Sequence, residues 1–164
     1  MTDPAAGTVG VTPASGWVAQ CIRWITRSRA AHAFIATGNG DEIIEAEPGG
    51  ARRGHASDYR KVWWLDELTA GMTPEQRRTA VAWAVAHIGT PYSFVDDAYI
   101  GFARLFHWAP GWMRRWLASD QTLECAQLCD AALLAGGRDL FPGRPAGSVA
   151  PSDLDRLNSR LSKP

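Results

Sequence analysis

The stretch HAFIATGNGDEIIEAE, residues 32–47, constrains the fold of this chain more than any other. Two β-rich apolar runs flank Asn39-Gly40, and Asn-Gly between such runs is a strong hairpin signal because both residues tolerate the backbone angles of a tight turn. An antiparallel pair is therefore expected here. Side chains alternate along a strand, so Glu45 and Glu47 face one side and Ile44 and Ala46 the other. The turn decides which carboxylate meets His32: a Gly38-Asn39 turn sets Glu45 opposite it, and an Asn39-Gly40 turn sets Glu47 there.

The remaining segments are read from periodicity and caps. RKVWWL, 60–65, is expected to be a third strand. TPEQRRTAVAWAVAHIG, 73–89, opens with a Thr cap and a Pro at the first helical position. Ala80, Val81, Ala84, Val85 and Ile88 form a buried stripe, and Gly89 ends it. His87 lies beside that stripe. ASGWVAQCIRWITRS, 14–28, reads as a short amphipathic helix with Cys21 as a core residue. Residues 95–118 read as two helical pieces broken at Pro110-Gly111 and carry Tyr99, Phe102, Phe106, Trp108, Trp112 and Trp116. These rings suit either a helical flap with its own core, or a wall over a substrate groove or a surface touching protein or lipid. PSDLDRLNSRLSKP at the end is expected to form a short helix capped near Ser152.

Size and charge exclude several classes. At 164 residues and 46% hydrophobic, the chain is expected to be one domain spanning 1–164. Formal net charge is zero, and RRGH at 52–55 is too short for a nucleic-acid footprint, so no nucleic-acid partner is expected. No apolar run approaches the ~20 residues of a membrane span. The first residues have neither a basic n-region nor an apolar h-region, which points to a cytoplasmic product as synthesised. Three cysteines cannot all pair, and cytosolic thiols stay reduced. There is no CxxC, HExxH, GxSxG or glycine-rich phosphate loop, so no metal and no cofactor is expected.

The thiols are the chemistry that remains. TLECAQLCDAALLAGG, 122–137, reads as a helix with Asp120, Thr122 and Glu124 near its cap. Its apolar face is Leu128, Ala131, Ala132 and Ala135, and Gly136-Gly137 is its stop. Cys125 is expected in the first turn, where free N–H groups and the helix dipole favour a thiolate. Cys129, one turn deeper, is expected to pack as a small hydrophobe. A nucleophilic cysteine needs a base and a group that holds the base. His32, opening a strand, is the best candidate base; His55 sits in a polar loop and His107 beside the aromatic segment. The third group is then Glu45 or Glu47.

The order of these pieces carries a resemblance. A strand histidine, a hairpin ending in "IEA", a helix ending in GTPY at 89–92, a helix opening with ECAQLCDAALLAGG and a late VAPSDL follow one another. From about Trp17 to Leu154 the chain resembles the NlpC-type, papain-like cysteine peptidase superfamily, in its circularly permuted (YiiX-like) branch, where the histidine precedes the cysteine. The resemblance implies an α+β fold, an antiparallel sheet packed against helices, here with an aromatic helical insertion at about 95–122. It also implies Cys125 as nucleophile, His32 as base and Glu45, in the place of the family's IEA glutamate, as the residue orienting the base. The implied substrate is an amide bond of peptidoglycan peptides, reached from a virion or by another route of release, or, as in lipid-acting relatives of the fold, an acyl group. A non-catalytic binding or virion structural protein is the third reading. The chain departs from the family in Ala126, where Ser usually follows the nucleophile, and in GTVGV at 7–11, which lacks the Asp of the family's opening strand.

Overall fold

In the computed structural model, residues 3–13, 29–47, 50–89, 121–144 and 149–163 are described. Among them five strands pair antiparallel: β1 (Val9–Thr12), β2 (His32–Ala36), β3 (Glu42–Glu47), β4 (Gly50–His55) and β5 (Trp63–Trp64), in the spatial order β4-β3-β2-β1-β5. Three α-helices accompany the sheet: α1 (Pro74–Ala86), α2 (Gln121–Ala135) and α3 (Pro151–Leu161). The fold class is α+β. None of these helices is long and apolar enough to cross a membrane. The expected helix at 14–28 with Cys21, and the aromatic segment at 95–118, lie outside the described residues.

β2 is central and apolar on both faces. Ala33 and Ile35 join Val9, Val11, Ile44 and Ala46 in one core with Cys125, Leu128, Cys129, Ala132 and Leu133 of α2, all fully buried. Burying each such leucine contributes about 1.5–3 kcal/mol, so the helix bearing Cys125 is fixed against the strands bearing His32 and Glu45. On the opposite face Phe34 stacks on Tyr59 at 5.2 Å between ring centroids and meets Trp64 edge-on at 5.8 Å. Gly10, paired with Phe34, makes this possible: a Cβ there would stand 2.3 Å from the Phe34 ring and 2.8 Å from that of Trp64.

The hairpin forms where expected but closes differently. Thr37 N–H donates to Glu42 O at 3.0 Å, which leaves the four residues 38–41 as the connection, with Gly38 at φ 84° and Gly40 at φ 62°. Pairing follows the register of the Asn39-Gly40 alternative: Phe34 lies opposite Glu45 and Ile35 opposite Ile44. α1 begins as expected: Gln76 N–H donates to Thr73 Oγ1 and Thr73 N–H to Gln76 Oε1, a reciprocal cap. α2 ends at Gly136-Gly137, with Gly137 at φ 83° and Gly136 so close to α1 that a Cβ would lie 2.6 Å from Gln76 O. The expected third strand shrinks to Trp63–Trp64, and α3 starts one residue before Ser152, with Asp153 accepting from Ala150 N–H at 3.2 Å.

β4 corrects the reading of His55 as a polar-loop residue: His55 is the last residue of a strand. GARRGH lacks β-branched and aromatic residues, so propensity does not mark it as a strand. Cross-strand charge does: Arg53 meets Glu42 at 2.6 Å, and Arg52 meets both Glu45 and Glu47. His55 ends this strand with Nδ1 3.1 Å from Asp41 Oδ1.

Candidate active site

Three elements deliver three side chains to one end of β2. His32 is the first residue of that strand, Glu45 comes from its neighbour β3, and Cys125 from the helix packed behind both. His32 Nε2 lies 3.1 Å from Glu45 Oε2, with 12% of the imidazole and 2% of the carboxylate side chain exposed. Cys125 acts on the same ring by its charge and side-chain hydrogen bonding, which raise the imidazole. Cys125 itself is fully buried, and its Sγ accepts the Ala33 N–H at 3.4 Å.

That contact has a cause in the sheet. The β2–β3 ladder runs from Ala36/Ile43 to Phe34/Glu45 and stops there. Beyond it the strands part, and the Ala33 amide donates to sulfur. Parting also explains which glutamate is used. Continued in register, Glu47 would stand across from His32, yet Glu47 turns to Arg52 at 2.8 Å and Glu45 reaches His32 along the diagonal. Diagonal neighbours on one sheet face are about 7–8 Å apart, within reach of a long side chain.

Glu45 is held by more than His32. The Tyr59 hydroxyl donates to the same Oε2. Arg52 donates to Oε1 from Nε at 3.1 Å, and its terminal nitrogen forms an ion pair with the same oxygen at 2.9 Å. Gly54 leaves room for this: a Cβ there would stand 2.7 Å from Oε1. Burial alone would raise the Glu45 carboxyl, but the hydrogen bonds from His32 and Tyr59, the charge of His32 and the bond from Arg52 outweigh it and hold the group at about 2. Burial would likewise lower His32, and the electrostatic and hydrogen-bonding effects of Cys125, then of Glu45, overcome it and raise the imidazole to about 10. The ring is therefore an imidazolium at neutral pH, wedged between a carboxylate and a sulfur. Burial, and the bond to Glu45, push the Tyr59 phenol up, so it stays a donor.

The two thiols of α2 differ as their spacing suggests. Burial first, then Cys125 and Asp130, push Cys129 well above the ordinary thiol range, and it packs within the core. Cys125 is not in the first helical turn, however. α2 begins at Gln121, which makes Cys125 its fifth residue; an N–H at that depth has the carbonyl four residues earlier as its acceptor. The described partners of the Cys125 side chain, the Ala33 N–H and His32, come from β2 rather than from α2.

The other histidines stay apart from this cluster where they are described. His87 stacks on Trp83 at 3.8 Å with Nδ1 2.7 Å from Trp83 O, and His55 pairs with Asp41. Tyr59 and Arg52 escaped sequence reasoning. For Arg52 a signal existed: in EIIEAEPGGARR two acids are followed closely by two bases, which sets acids opposite bases if the two runs pair. For Tyr59 no local pattern points to Glu45, because a turn of 3-10 helix at 56–58 brings it there. Comparison of the chain with protein-family models, with curated proteins and with solved structures finds no match to any of them.

Proposed function

We propose that the chain is a cysteine hydrolase of the NlpC-type papain-like superfamily, in its permuted branch, cleaving amide bonds of peptidoglycan peptides through an acyl-enzyme. The observation that carries this reading is the placement of His32 between the Glu45 carboxylate and the Cys125 sulfur. The chain order His32, Glu45, Cys125 and the packing of the cysteine helix on an antiparallel sheet support it.

In this mechanism the Cys125 sulfur attacks the substrate carbonyl carbon and forms a tetrahedral adduct. The His32 imidazolium gives its proton to the departing amine as the C–N bond breaks, leaving a thioester on Cys125. Neutral His32 then takes a proton from water, whose oxygen attacks the thioester; the acid product leaves and the thiolate–imidazolium pair is restored. Glu45 fixes the ring through Nε2 and stabilises its charged form.

The test measures alkylation of each cysteine by iodoacetamide from pH 4 to 9 by peptide mass spectrometry, with release of products from muropeptides and from acyl esters. Cys125 is expected to label fast at acidic pH, to be slowed by His32→Ala, and to outpace Cys129 and Cys21. Cys125→Ala should abolish amide cleavage, and His32→Ala should lower it by about 10²–10⁴-fold. Labelling of Cys125 at a free-thiol rate in both proteins overturns the catalytic reading; turnover of acyl esters without amide release overturns the peptidase part of it.

A further inference from the structure

We propose that Tyr59 and Arg52 are positioning residues that grip the Glu45 carboxylate by its two oxygens and aim it at His32; this rests on the reading of Cys125 and His32 as a working pair. The two grips differ. Tyr59 acts on Oε2, the oxygen that His32 also uses, and Arg52 acts on Oε1. The groups facing Glu45 are thus His32 from β2, Tyr59 from the turn after β4, and Arg52 from β4; Cys125 lies beyond His32, and Glu47 shares Arg52.

Such a grip is needed because the strand register works against the contact. Glu45 stands opposite Phe34, and its side chain must lean diagonally to meet His32. A glutamate has three rotatable bonds, and unrestrained it would spread over several rotamers. The Tyr59 ring is itself seated, stacked on Phe34 at 5.2 Å with 20° between planes and lying 5.7 Å from the His32 ring. Its hydroxyl is therefore a fixed donor whose location is set by the sheet. The segment 50–59 supplies the whole arrangement: Arg52 across from Glu45, Gly54 as the space for Oε1, and Tyr59 as the second donor. Arg52, Tyr59 and the space at Gly54 all act on the Glu45 carboxylate, and their effect reaches the sulfur through Glu45 and His32.

Tyr59→Phe keeps the ring on Phe34 and removes only the hydroxyl. The measurement is the titration of the His32 imidazole by nuclear magnetic resonance, alongside the pH profile of Cys125 alkylation, with circular dichroism to confirm folding. In Tyr59→Phe the His32 midpoint is expected to fall by about one unit or more, and Cys125 alkylation at pH 7 by about tenfold. A residue that merely packs would lower the melting temperature and leave His32 where it was. A folded Tyr59→Phe protein with the wild-type His32 titration overturns the proposal. Should that variant not fold, Arg52→Gln, on a half-exposed side chain, is read the same way, and an unchanged His32 overturns the proposal there too. His32→Ala separates this from the parent reading. If it leaves Cys125 alkylation unchanged, the Cys–His pair fails, and the Tyr59 effect on His32 titration still stands or falls alone.

Discussion

Glu45 illustrates how little room a buried carboxylate has. It is a fully hydrogen-bonded anion with 2% of its side chain exposed, and each of its oxygens has a donor. Its charge and that of His32 set opposite limbs of a stability profile. The Glu45 carboxyl is depressed from 4.5 to about 2, so its contribution is present above about 4.5 and is lost as pH falls through about 2. His32 is raised from 6.5 to about 10, so its contribution is present below about 6.5 and is lost as pH rises through about 10. Melting curves taken from pH 2 to 10 should fall at both ends. Glu45→Gln should flatten the acid limb, draw the alkaline limb toward neutrality and lower the midpoint at pH 7. Parallel profiles for the two proteins would sink this account. The identities of Cys125, His32 and Glu45 were legible in the sequence as candidates, because each belongs to a short motif. The contact of His32 with Glu45 was named by the resemblance and not by register counting, which in the observed Asn39-Gly40 register points to Glu47 because the contact is a diagonal reach.

At the level of elements, legibility followed local chemistry. α1 could be read to its first residue because a Thr-Pro start with Gln76 at the third position is a self-contained signal. The hairpin could be read because glycine and asparagine mark turns, although its four-residue connection could not. β4 was missed because GARRGH is a strand by virtue of its partner: Arg52 and Arg53 answer Glu45 and Glu42 across the ladder. The depth of Cys125 in α2 was missed because several residues before it could serve as a cap. Gly54 is where the edge strand bears on the site most directly. Gly54→Ala would set a Cβ 2.7 Å from Glu45 Oε1 and force the carboxylate off Arg52. Overpacking of this kind costs about 1–3 kcal/mol. Denaturant unfolding should show that loss together with slower Cys125 alkylation, whereas a loss of stability with unchanged alkylation would mean that Glu45 is not what the methyl group displaces.

For the molecule as a whole, the site lies where two layers meet: the end of the sheet at which β2 and β3 separate, and the helix that fills the gap behind them. Neither layer alone holds the cluster, which is why no single stretch of sequence displays it. One amide makes that junction observable. The Ala33 N–H, released from the ladder, donates to Cys125 Sγ, while the Thr37 N–H on the same strand edge donates to a carbonyl, Glu42 O. The Ala33 amide proton is therefore a spectroscopic witness built into the backbone. Alkylating Cys125 takes electron density from its acceptor and crowds it, so the Ala33 resonance should move and its exchange with solvent deuterium should quicken, with Thr37 as the unmoved internal standard. An acyl group carried on the same sulfur during turnover would leave the same mark, which makes the covalent state of the cysteine readable without any label on the substrate.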